Sequence, residues 1–299
     1  MHDSAQPASA GPLVSLIEVG RSRFNQRFIA ELADGARVEC VLYRGDTLCI
    51  SSQVGCAVGC PFCASGSRGL ARPLSFEELT GQIEAVQRMG HALERVTVSG
   101  VGEPLHNHAA VWSLLEHCQR ARIGLSLTSS GGPLPRLAQW LHAPHNGLTL
   151  SVHAGTEPVR ARMVPKGPGL TALFELLSSE LPNLTRRRRK KTALAYLLCA
   201  DQNDSEAELA AFAQRALPLG LRVHLYAYNQ VASSDSRSVE RARYEAAYQQ
   251  LTAAGLHVHM SSQARIEDNG GCGTLVARFA VSQVGIRKIS SLRRRLPDP

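Results

Sequence analysis

The sequence predicts an α/β fold built around a parallel sheet. Short strand patterns rich in Val, Leu and Thr alternate with helical patterns over most of the 299 residues. This alternation is typical of repeated βαβ units, which assemble either into a barrel or into a doubly wound sheet. The chain is long enough to bury the core of one large domain of this kind.

The elements are predicted in chain order from residue 27 onward. Alternating runs at residues 27–32 and 37–43 flank the turn Ala33-Asp34-Gly35 and predict a β-hairpin. Residues 47–53 form the next predicted strand. Six helix–strand pairs follow, at residues 76–89 and 95–99, 109–121 and 123–128, 134–141 and 148–152, 170–180 and 192–199, 205–216 and 222–226, and 238–254 and 257–260. Residues 1–13 are small and polar, which is typical of a disordered tail.

The composition favours an anionic partner. Lys and Arg outnumber Asp and Glu by 33 to 25, which gives a formal net charge of +8. Nucleic acid is the usual partner of such a chain, although a basic solvated surface would give the same count. No apolar run is long enough to span a bilayer. The first residues lack the layout of a signal peptide, and we expect a cytoplasmic location and no membrane partner.

Three of the eight cysteines lie in one short segment, residues 56–63, which we call the cysteine loop. Cys56, Cys60 and Cys63 have the spacing C-x3-C-x2-C, and no fourth cysteine follows at ligand spacing. Three thiolates can hold three irons of a cubane iron–sulfur cluster, which leaves the fourth iron open to bind and reduce a small molecule. A structural zinc site normally needs four ligands in two pairs, so the spacing favours the cluster.

Polar residues follow several predicted strands, and the carboxyl ends of parallel strands meet at one edge of a sheet. Gly102 and Glu103 follow the strand at residues 95–99; the glycine lets a ligand approach the backbone, and the carboxylate suits an ammonium group. A plain tight turn is the alternative interpretation. Later strand ends add Thr128, Ser151, His153 and Asn229. Any one of them alone is more typical of a cap or a loop hydrogen bond, but together they predict a pocket for a polar ligand.

The remaining cysteines divide into reactive and packed candidates. Cys272 is flanked by glycines, which predicts an accessible and reactive thiol, and Cys49 lies on the strand that feeds the cysteine loop. Cys118 and Cys199 lie in apolar patterns and are assigned to the core. Strand alternation places Cys40 on the face opposite Glu39, where packing is the favoured role.

A run of six basic residues occupies positions 186–191, and three arginines follow at 293–295. Such a run is usually a solvated surface loop. In a basic chain it also suits contact with a phosphate backbone.

Several motifs occur together and in a fixed order. They are Ser-Ser-Gln-Val-Gly-Cys at 51–56, the cysteine loop, Gly-Glu-Pro-Leu at 102–105, Leu-Ser-Val-His-Ala at 150–154, Met-Val-Pro at 163–165 and Cys-Gly-x-Leu at 272–275. With them the chain resembles the RlmN/Cfr family of radical S-adenosylmethionine RNA methyltransferases, from about residue 39 to about residue 280. The resemblance implies a partial parallel (β/α) barrel of the radical-SAM type with a small N-terminal β-hairpin extension.

The resemblance also implies roles for individual residues. Cys56, Cys60 and Cys63 would hold one 4Fe–4S cluster. The residues implied to contact S-adenosylmethionine are Gly102, Glu103, Thr128, Ser151, Val152, His153 and Asn229. Cys272 matches the cysteine that is itself methylated, Cys49 matches its partner thiol, and Glu39 matches a proposed proton acceptor.

The implied chemistry methylates an adenine ring carbon, with C2 favoured over C8. Such a carbon is electron-poor and cannot displace a sulfonium methyl, whereas the Cys272 thiolate can. A radical made from a second S-adenosylmethionine would remove hydrogen from the methylated Cys272, and the resulting methylene radical would add to the ring. Loss of the ring proton and a Cys49–Cys272 disulfide would free the base, and the disulfide then needs a reductant. Either Glu39 or Cys49 could take the proton.

The chain departs from the family pattern in three places. The family usually has a longer accessory domain before the position of Glu39, where this chain has 38 residues. Residues 98–101 replace a stretch that usually contains methionine, and Thr128 stands where serine is typical. We expect a tail and hairpin at 1–45, the barrel core at 46–285 and a basic tail at 286–299.

The expected partners are RNA, either ribosomal or transfer RNA, and an external electron donor, with the protein a monomer. The target base must leave its stack to reach the pocket, which favours folded RNA over an intact duplex. Two alternatives stay open: a radical-SAM enzyme with a non-RNA substrate, and a non-catalytic RNA-binding protein stabilised by a metal.

Overall fold

A ten-stranded sheet runs through the part of the chain that the computed structural model describes, residues 13–231 and 233–261. The strands are β1 (Val14–Arg21), β2 (Asn25–Leu32), β3 (Arg37–Tyr43), β4 (Thr47–Ile50), β5 (Gln53–Gly55), β6 (Leu70–Pro73), β7 (Arg95–Val98), β8 (Gly124–Ser129), β9 (Gly147–Ser151), β10 (Thr192–Leu198), β11 (Arg222–Ala227) and β12 (His257–Met260). The helices are α1 (Phe76–Arg88), α2 (His108–Arg120), α3 (Leu134–His142), α4 (Glu157–Met163), α5 (Leu170–Glu180), α6 (Arg186–Arg189), α7 (Glu206–Ala216) and α8 (Arg241–Ala253).

The large sheet follows the chain order β1-β2-β3-β4-β7-β8-β9-β10-β11-β12. The pairs from β4 through β12 are parallel, and β1, β2 and β3 continue the sheet as antiparallel strands. Because every right-handed crossover moves to the next strand in the same direction, the helices lie on one face of the sheet. Within the described residues the sheet is not closed, which confirms the partial barrel.

The two faces of this sheet differ in character. On the outer face, fully buried side chains of the strands pack against the helices, as Leu48, Leu127 and Leu148 do. Their neighbours along each strand point to the inner face, since side chains alternate in a strand. In register on that inner face, Cys49 pairs with Thr97, and Thr97 with Ser126. The inner face therefore carries polar side chains on β7 and β8, beside a small apolar cluster of Ile29, Val41 and Cys49, while the outer face carries the main core.

A capping box fixes the start of the first crossover helix, α1. Ser75 Oγ accepts from Glu78 N at 3.2 Å, and Glu78 Oε2 accepts from Ser75 N at 2.8 Å. Arg72 then donates to both Glu78 and Asp34, with an Nη2–Oδ2 distance of 2.7 Å to Asp34. Since Asp34 lies in the turn between β2 and β3, this arginine ties the N-terminal hairpin to α1.

Most predicted elements are confirmed, including the hairpin, which forms as β2 and β3. The single strand predicted at residues 47–53 is wrong: β4 ends at Ile50, and Gln53 begins β5 in a separate two-stranded sheet with β6. The chain leaves the large sheet because Ser51 Oγ donates to Glu39 O at 2.7 Å, while Ser52 N donates to Val101 O at 2.8 Å.

Strand β1 was not predicted, because its alternation is interrupted by a register shift between Glu18 and Gly20. Helices α4 and α6 were also not predicted.

In the part of the chain that the structure describes, no helix is both long enough and apolar enough to cross a membrane.

Candidate active site at the carboxyl edge of the sheet

The cysteine loop leaves the small sheet formed by β5 and β6. Cys56 N donates to Gly69 O at 3.0 Å, and Cys63 N donates to Cys60 O at 3.1 Å, which closes a tight turn inside the loop. Gly55, directly before it, has a φ of +80°, and a Cβ there would lie 2.0 Å from Gly69 O. The small sheet can therefore close at the base of the loop only with glycine at this position.

The cysteine loop packs into a cluster of apolar side chains. Its buried members are Cys56, Val58, Ala64, Met163, Val164, Cys199, Tyr228 and Val231, with Cys60 and Phe62 partly buried against them. The ring of Phe62 meets that of His153 edge to face, with 5.3 Å between centroids. Two of the sequence motifs, around His153 and Met163, thus come to lie against the loop.

Burial raises the pKa of all three thiols of the loop. The pKa of Cys56 rises to about 11, and those of Cys60 and Cys63 rise as well, again chiefly because of burial. The charges of Cys63 and Cys56 add to the effect at Cys60, and the carboxylate of Glu103 raises the pKa of both Cys56 and Cys60. The three thiols and Glu103 therefore share one neighbourhood.

The donor set of these three thiols suits an iron–sulfur cluster. A cubane presents separate irons, each bound by its own thiolate, so the ligands need not converge on a point. The three cysteines share one loop beside the apolar cluster, which matches that requirement.

Glu103 is held rigidly beside the loop. It is 3% exposed, and its backbone N donates to Gln53 Oε1 at 2.8 Å. Glu103 Oε1 accepts from Leu105 N at 3.0 Å and Ser129 Oγ at 2.6 Å, and Oε2 accepts from Ser130 N at 2.7 Å. A carboxylate offers about four acceptor positions, so one remains for a ligand's ammonium group.

The loop that carries Glu103 packs tightly onto the residues after β4. Val101 N donates to Ser51 Oγ at 2.8 Å. Gly102 has a φ of +112°, and a Cβ there would lie 2.7 Å from both Ser52 Oγ and Gln53 Cβ. Glycine is thus needed at position 102 for close approach as well as for its conformation.

Arg160 is a site residue that the sequence did not reveal. It lies on α4, is 1% exposed, and donates to the carbonyls of Ser130 (2.7 Å), Ser151 (2.6 Å), Val152 (2.8 Å) and Pro168 (3.0 Å). One guanidinium thereby joins the ends of β8 and β9 to the loop after α4. An arginine in a short helix usually lies at the surface, and the sequence gives no signal that four carbonyls surround this one.

Burial lowers the pKa of Arg160 to about 10, while the nearby groups of Cys60, Glu157 and Glu103 act in the opposite direction. The guanidinium remains charged at neutral pH. It therefore places a positive charge beside Cys60 and Glu103, at the point where an anionic thiolate set would form.

His153 is buried and structurally engaged. Its φ is +56°, its Nδ1 accepts from Leu197 N at 3.0 Å, and its carbonyl accepts from Asn203 Nδ2 at 2.8 Å. Burial, with the charge of Arg160, lowers the pKa of His153 to about 3. The ring is therefore neutral with its proton on Nε2, which leaves an N–H donor for a ligand.

Glu39 and Cys49, from β3 and β4, are both 1% exposed. Cys49 Sγ lies 3.2 Å from Ser99 Oγ, just beyond β7. Glu39 is close enough to Cys63 that its charge adds to the raised pKa of that thiol. Ser51 Oγ also accepts from Glu39 N at 3.2 Å, which fixes the β3 backbone to the segment that leads into the cysteine loop.

The inner face of the sheet borders an open cavity of about 350 Å³. Its lining residues are Thr97, Ser126, Leu127, Thr128, Thr149, His224, Tyr226, His259 and Met260. The ring planes of His224 and Tyr226 are nearly parallel, at an angle of 3°, and the ring centroids are 5.9 Å apart. A polar residue next to each buried Leu or Val of these strands is the signal that could have predicted it. Of the predicted ligand contacts, Thr128 lines this cavity.

The other predicted positions are placed as follows. Ser151 is half-buried at the end of β9, Val152 is buried, and Asn229 is half-buried two residues beyond β11. Cys272 lies outside the described residues, as does Ala232.

Three cysteines belong to the core, as predicted. Cys40, Cys118 and Cys199 are fully buried. Cys40 Sγ donates to Gln82 Oε1 at 3.1 Å, on the face of β3 opposite Glu39. Cys40 and Cys118 lie in the main core, whereas Cys199 packs in the apolar cluster that contains Cys56.

A three-thiol loop after a strand, with a rigid carboxylate beside it on a partial parallel barrel, defines the radical-SAM class. The model of the Radical SAM superfamily matches residues 50–178. Among solved structures, a radical SAM methyltransferase from Sphaerobacter thermophilus matches with a TM-score of 0.79 at 24% identity, covering 88% of this chain and 81% of that one. Streptococcus suis SuiB bound to S-adenosylmethionine matches with a TM-score of 0.57 at 13% identity, covering 74% and 52%. Both likenesses concern the fold.

Curated relatives narrow the class to one family. The chain is 34% identical to the dual-specificity RNA methyltransferase RlmN of Sorangium cellulosum, over 80% of this chain and 63% of that protein. It is 31% identical to the probable RlmN of Akkermansia muciniphila, over 88% and 78%, and 31% identical to a probable RNA methyltransferase of Dechloromonas aromatica, over 85% and 71%. The chain belongs to the RlmN-type family of radical-SAM RNA methyltransferases. It spans 63% of the length of the Sorangium protein and of a probable RNA methyltransferase of Rhodopseudomonas palustris.

Proposed function

We propose that this chain is a radical S-adenosylmethionine RNA methyltransferase that methylates an adenine ring carbon, C2 in preference to C8. The observation that carries the proposal is the position of Cys49 and Glu39. Both lie on the inner face of the sheet, and Glu39 is close enough to the cysteine loop to influence Cys63. Family membership supports the reaction class, and the net charge of +8 supports an RNA substrate.

The cofactors follow from the superfamily. Radical-SAM proteins in general use S-adenosylmethionine and a 4Fe–4S cluster, and Cys56, Cys60 and Cys63 would hold one such cluster here. When bound, it supplies the electron that cleaves S-adenosylmethionine to a 5′-deoxyadenosyl radical. The proposed contacts to S-adenosylmethionine are Gly102, Glu103, Thr128, Ser151, Val152, His153 and Asn229. Glu103 is the best supported of them, because one acceptor position remains on its carboxylate.

The thiols do the covalent chemistry in this proposal. The Cys272 thiolate attacks the methyl group of one S-adenosylmethionine, so an S–C bond forms at cysteine and the sulfonium S–CH₃ bond breaks. The adduct of the methylene carbon and the adenine ring still carries an unpaired electron, so it would lose one electron, which the cluster could accept when bound, and the ring proton, which goes to Glu39 or Cys49. Cys49, as the thiolate, then attacks Cys272 Sγ. The S–S bond forms, the S–CH₂ bond breaks, and its electron pair takes a proton to leave a methyl group on the base. An external dithiol then reduces the disulfide.

The substrate in this proposal is ribosomal or transfer RNA, with the target adenosine unstacked into the inner cavity. Thr128 and the His224–Tyr226 pair line that cavity and offer hydrogen bonds and a stacking surface to a base. A cytoplasmic location and a monomeric state complete the proposal.

The test is mass spectrometry of total RNA from cells with and without the gene, followed by an anaerobic reaction of the reconstituted protein on RNA from the deletion strain. We expect one methyladenosine to disappear on deletion and to be restored in vitro. Deuterium-labelled methyl groups in S-adenosylmethionine would enter the product, and the fragment spectrum would separate C2 from C8.

Two cysteine variants test the route. Cys272→Ala should form no product, and Cys49→Ala should accumulate a covalent protein–RNA adduct, visible as a shifted band on a denaturing gel. Cys118→Ala, in the core, is the matched control and should do neither. Product formation by Cys272→Ala would contradict the methyl-cysteine route and favour a different radical reaction.

A further inference from the structure

A second cavity lies at the opposite edge of the sheet from the cysteine loop. It has a volume of about 550 Å³ and is bounded by the starts of three strands, at Thr192 in β10, Arg222 in β11 and His257 in β12. These strands are neighbours in register, since Ala193 pairs with Arg222 and Arg222 with His257. The cavity is therefore built on the rigid end of the barrel rather than on a loop alone.

This cavity is strongly basic. Four permanent or near-permanent cations line it, Arg186, Arg189, Lys190 and Arg222, with His257 and His259 as further donors. Its lining within the described chain contains no Asp or Glu. Nor does any carboxylate among the described residues form an ion pair with one of the four cations.

The backbone holds these cations in place despite their mutual repulsion. Thr185 Oγ1 accepts from Arg188 N at 3.3 Å and caps α6. Arg222 Nη2 donates to Lys190 O at 2.8 Å, which links β11 to the end of the basic run. Like charges that line one cavity destabilise one another, and an anion between them would relieve that repulsion.

The positive electrostatic potential around the basic run also affects a neighbouring side chain, Lys191. Lys191 Nζ donates to His145 O at 3.1 Å, and its pKa lies below the usual value, first because of burial and then because of Arg187 and Arg188. The positive field of the run thus extends beyond the cavity wall.

The basic cavity adjoins the inner one, because His259 lines both. A strand of nucleic acid whose phosphate sits among Arg186, Arg189 and Lys190 would lie next to the polar inner face. We infer that the basic cavity binds a backbone phosphate of the RNA substrate. This inference rests on the proposed function and adds to it the place where the RNA backbone is held.

The test measures RNA binding without turnover. Fluorescence anisotropy of a labelled single-stranded RNA is recorded with the full-length reconstituted protein between 50 and 300 mM KCl, for wild type and for Arg186→Gln/Arg189→Gln. Loss of one neutralised phosphate lowers the slope of log K against log salt by about 0.7 on single strands, so we expect the slope to fall by up to about 0.7 and the affinity to fall on the order of tenfold. Arg88→Gln/Arg120→Gln removes the same charge from two helix ends outside the cavity and should leave the slope unchanged.

The outcomes separate this inference from the proposed function. Equal slopes for the cavity variant and the control variant would overturn the inference, even if the wild type methylates RNA. Displacement of the RNA by inorganic pyrophosphate from the control but not from the cavity variant would support it. Tight binding of pyrophosphate without any dependence of RNA affinity on these arginines would overturn it in favour of a small-anion site. If substitution in α6 unfolds the protein, as circular dichroism would reveal, Lys190→Gln tests the same cavity from outside that helix, with an expected slope change of up to about 0.7.

Discussion

The two faces of the large sheet have different roles: the outer face packs against the helices, and the inner face borders the candidate site. Along β9, Leu148 and Leu150 are fully buried against the helices, whereas Thr149 between them lines the inner cavity and Ser151 is half-buried at the end of the strand. Since a strand alternates its side chains, stability and chemistry can be changed almost independently at adjacent positions. Burial alone therefore does not distinguish residues of the hydrophobic core from residues of the candidate site. Glu39, Cys49 and Arg160 are as deeply buried as the leucines.

Removal of one cluster ligand should have the largest effect on activity and a small effect on the fold. We expect Cys60→Ala to lose cluster iron, S-adenosylmethionine cleavage and methylation altogether, since a cubane on three protein ligands loses an anchor. Cys118→Ala, a thiol of the outer-face core, should retain iron and lose about 1 kcal/mol of stability. Iron and sulfide analysis with anaerobic cleavage assays gives the answer. Full iron content in Cys60→Ala would contradict the assignment of this ligand.

The next largest effect is expected at Arg160. This side chain both stabilises the fold and positions the ends of β8 and β9 at the candidate active site. Replacement with leucine leaves the carbonyls of Ser130, Ser151, Val152 and Pro168 without their donor, and we expect a loss of about 3–5 kcal/mol in the free energy of unfolding. Affinity for S-adenosylmethionine should fall as well, since the ends of β8 and β9 lose their common anchor.

Chemical denaturation and equilibrium binding of S-adenosylmethionine measure the two consequences of Arg160→Leu. Arg162→Leu, at an exposed position on the same helix, is the control and should change neither by more than a few tenths of a kcal/mol. If Arg160→Leu bound S-adenosylmethionine as tightly as the wild type, the arginine would have a purely structural role.

Local patterns predicted much of this molecule. The strand–helix alternation, the C-x3-C-x2-C spacing and the Gly102-Glu103 turn are each contained in a few consecutive residues, so hydrophobic period and spacing were enough. The same holds for Cys40, which alternation assigned correctly to the packed face. Features of this kind depend only on residues that are close to one another in the sequence.

Other features depend on contacts between distant segments, and the sequence did not predict them. The strand predicted at 47–53 breaks because Ser51 bonds to Glu39 and Ser52 to Val101. Arg160 is buried only because three separate loops turn carbonyls toward it. Such positions depend on tertiary hydrogen bonds, for which a single sequence carries no periodic signal.

Adjacent substitutions on β9 test the two-face comparison directly. Leu150→Ala should cost about 2–5 kcal/mol of stability, because a fully buried leucine leaves a cavity. Thr149→Val should change stability by less than about 1 kcal/mol, since the side chain borders the inner cavity, yet it should weaken the binding of the RNA base there. Urea denaturation and steady-state methylation kinetics separate the effects. A large loss of stability in Thr149→Val would mean that the inner face also belongs to the core.

At neutral pH a further effect is absent and develops only in acid: a pH dependence of stability that involves His145, a residue outside the active site. His145, in the loop before β9, is fully buried, and burial with the charges of Arg188 and Lys191 lowers its pKa to about 4. Because the folded pKa lies below the unfolded value of about 6.5, the unfolded chain binds the proton first. Stability is therefore fully present above about pH 6.5 and falls as the pH drops toward 4, by up to about 1.4 kcal/mol per pH unit from this one group.

Urea denaturation of wild type and His145→Gln between pH 4 and 7 measures that contribution. We expect the free energy of unfolding to depend less steeply on pH in His145→Gln, by up to about 1.4 kcal/mol per pH unit. That difference corresponds to the uptake of one proton, and it does not depend on the absolute stability of the variant. His91→Gln, at a partly exposed position, should keep the wild-type slope. An unchanged slope in His145→Gln would assign the acid sensitivity to other groups, and His153 is the first of these, since burial lowers its pKa to about 3 beside the active site.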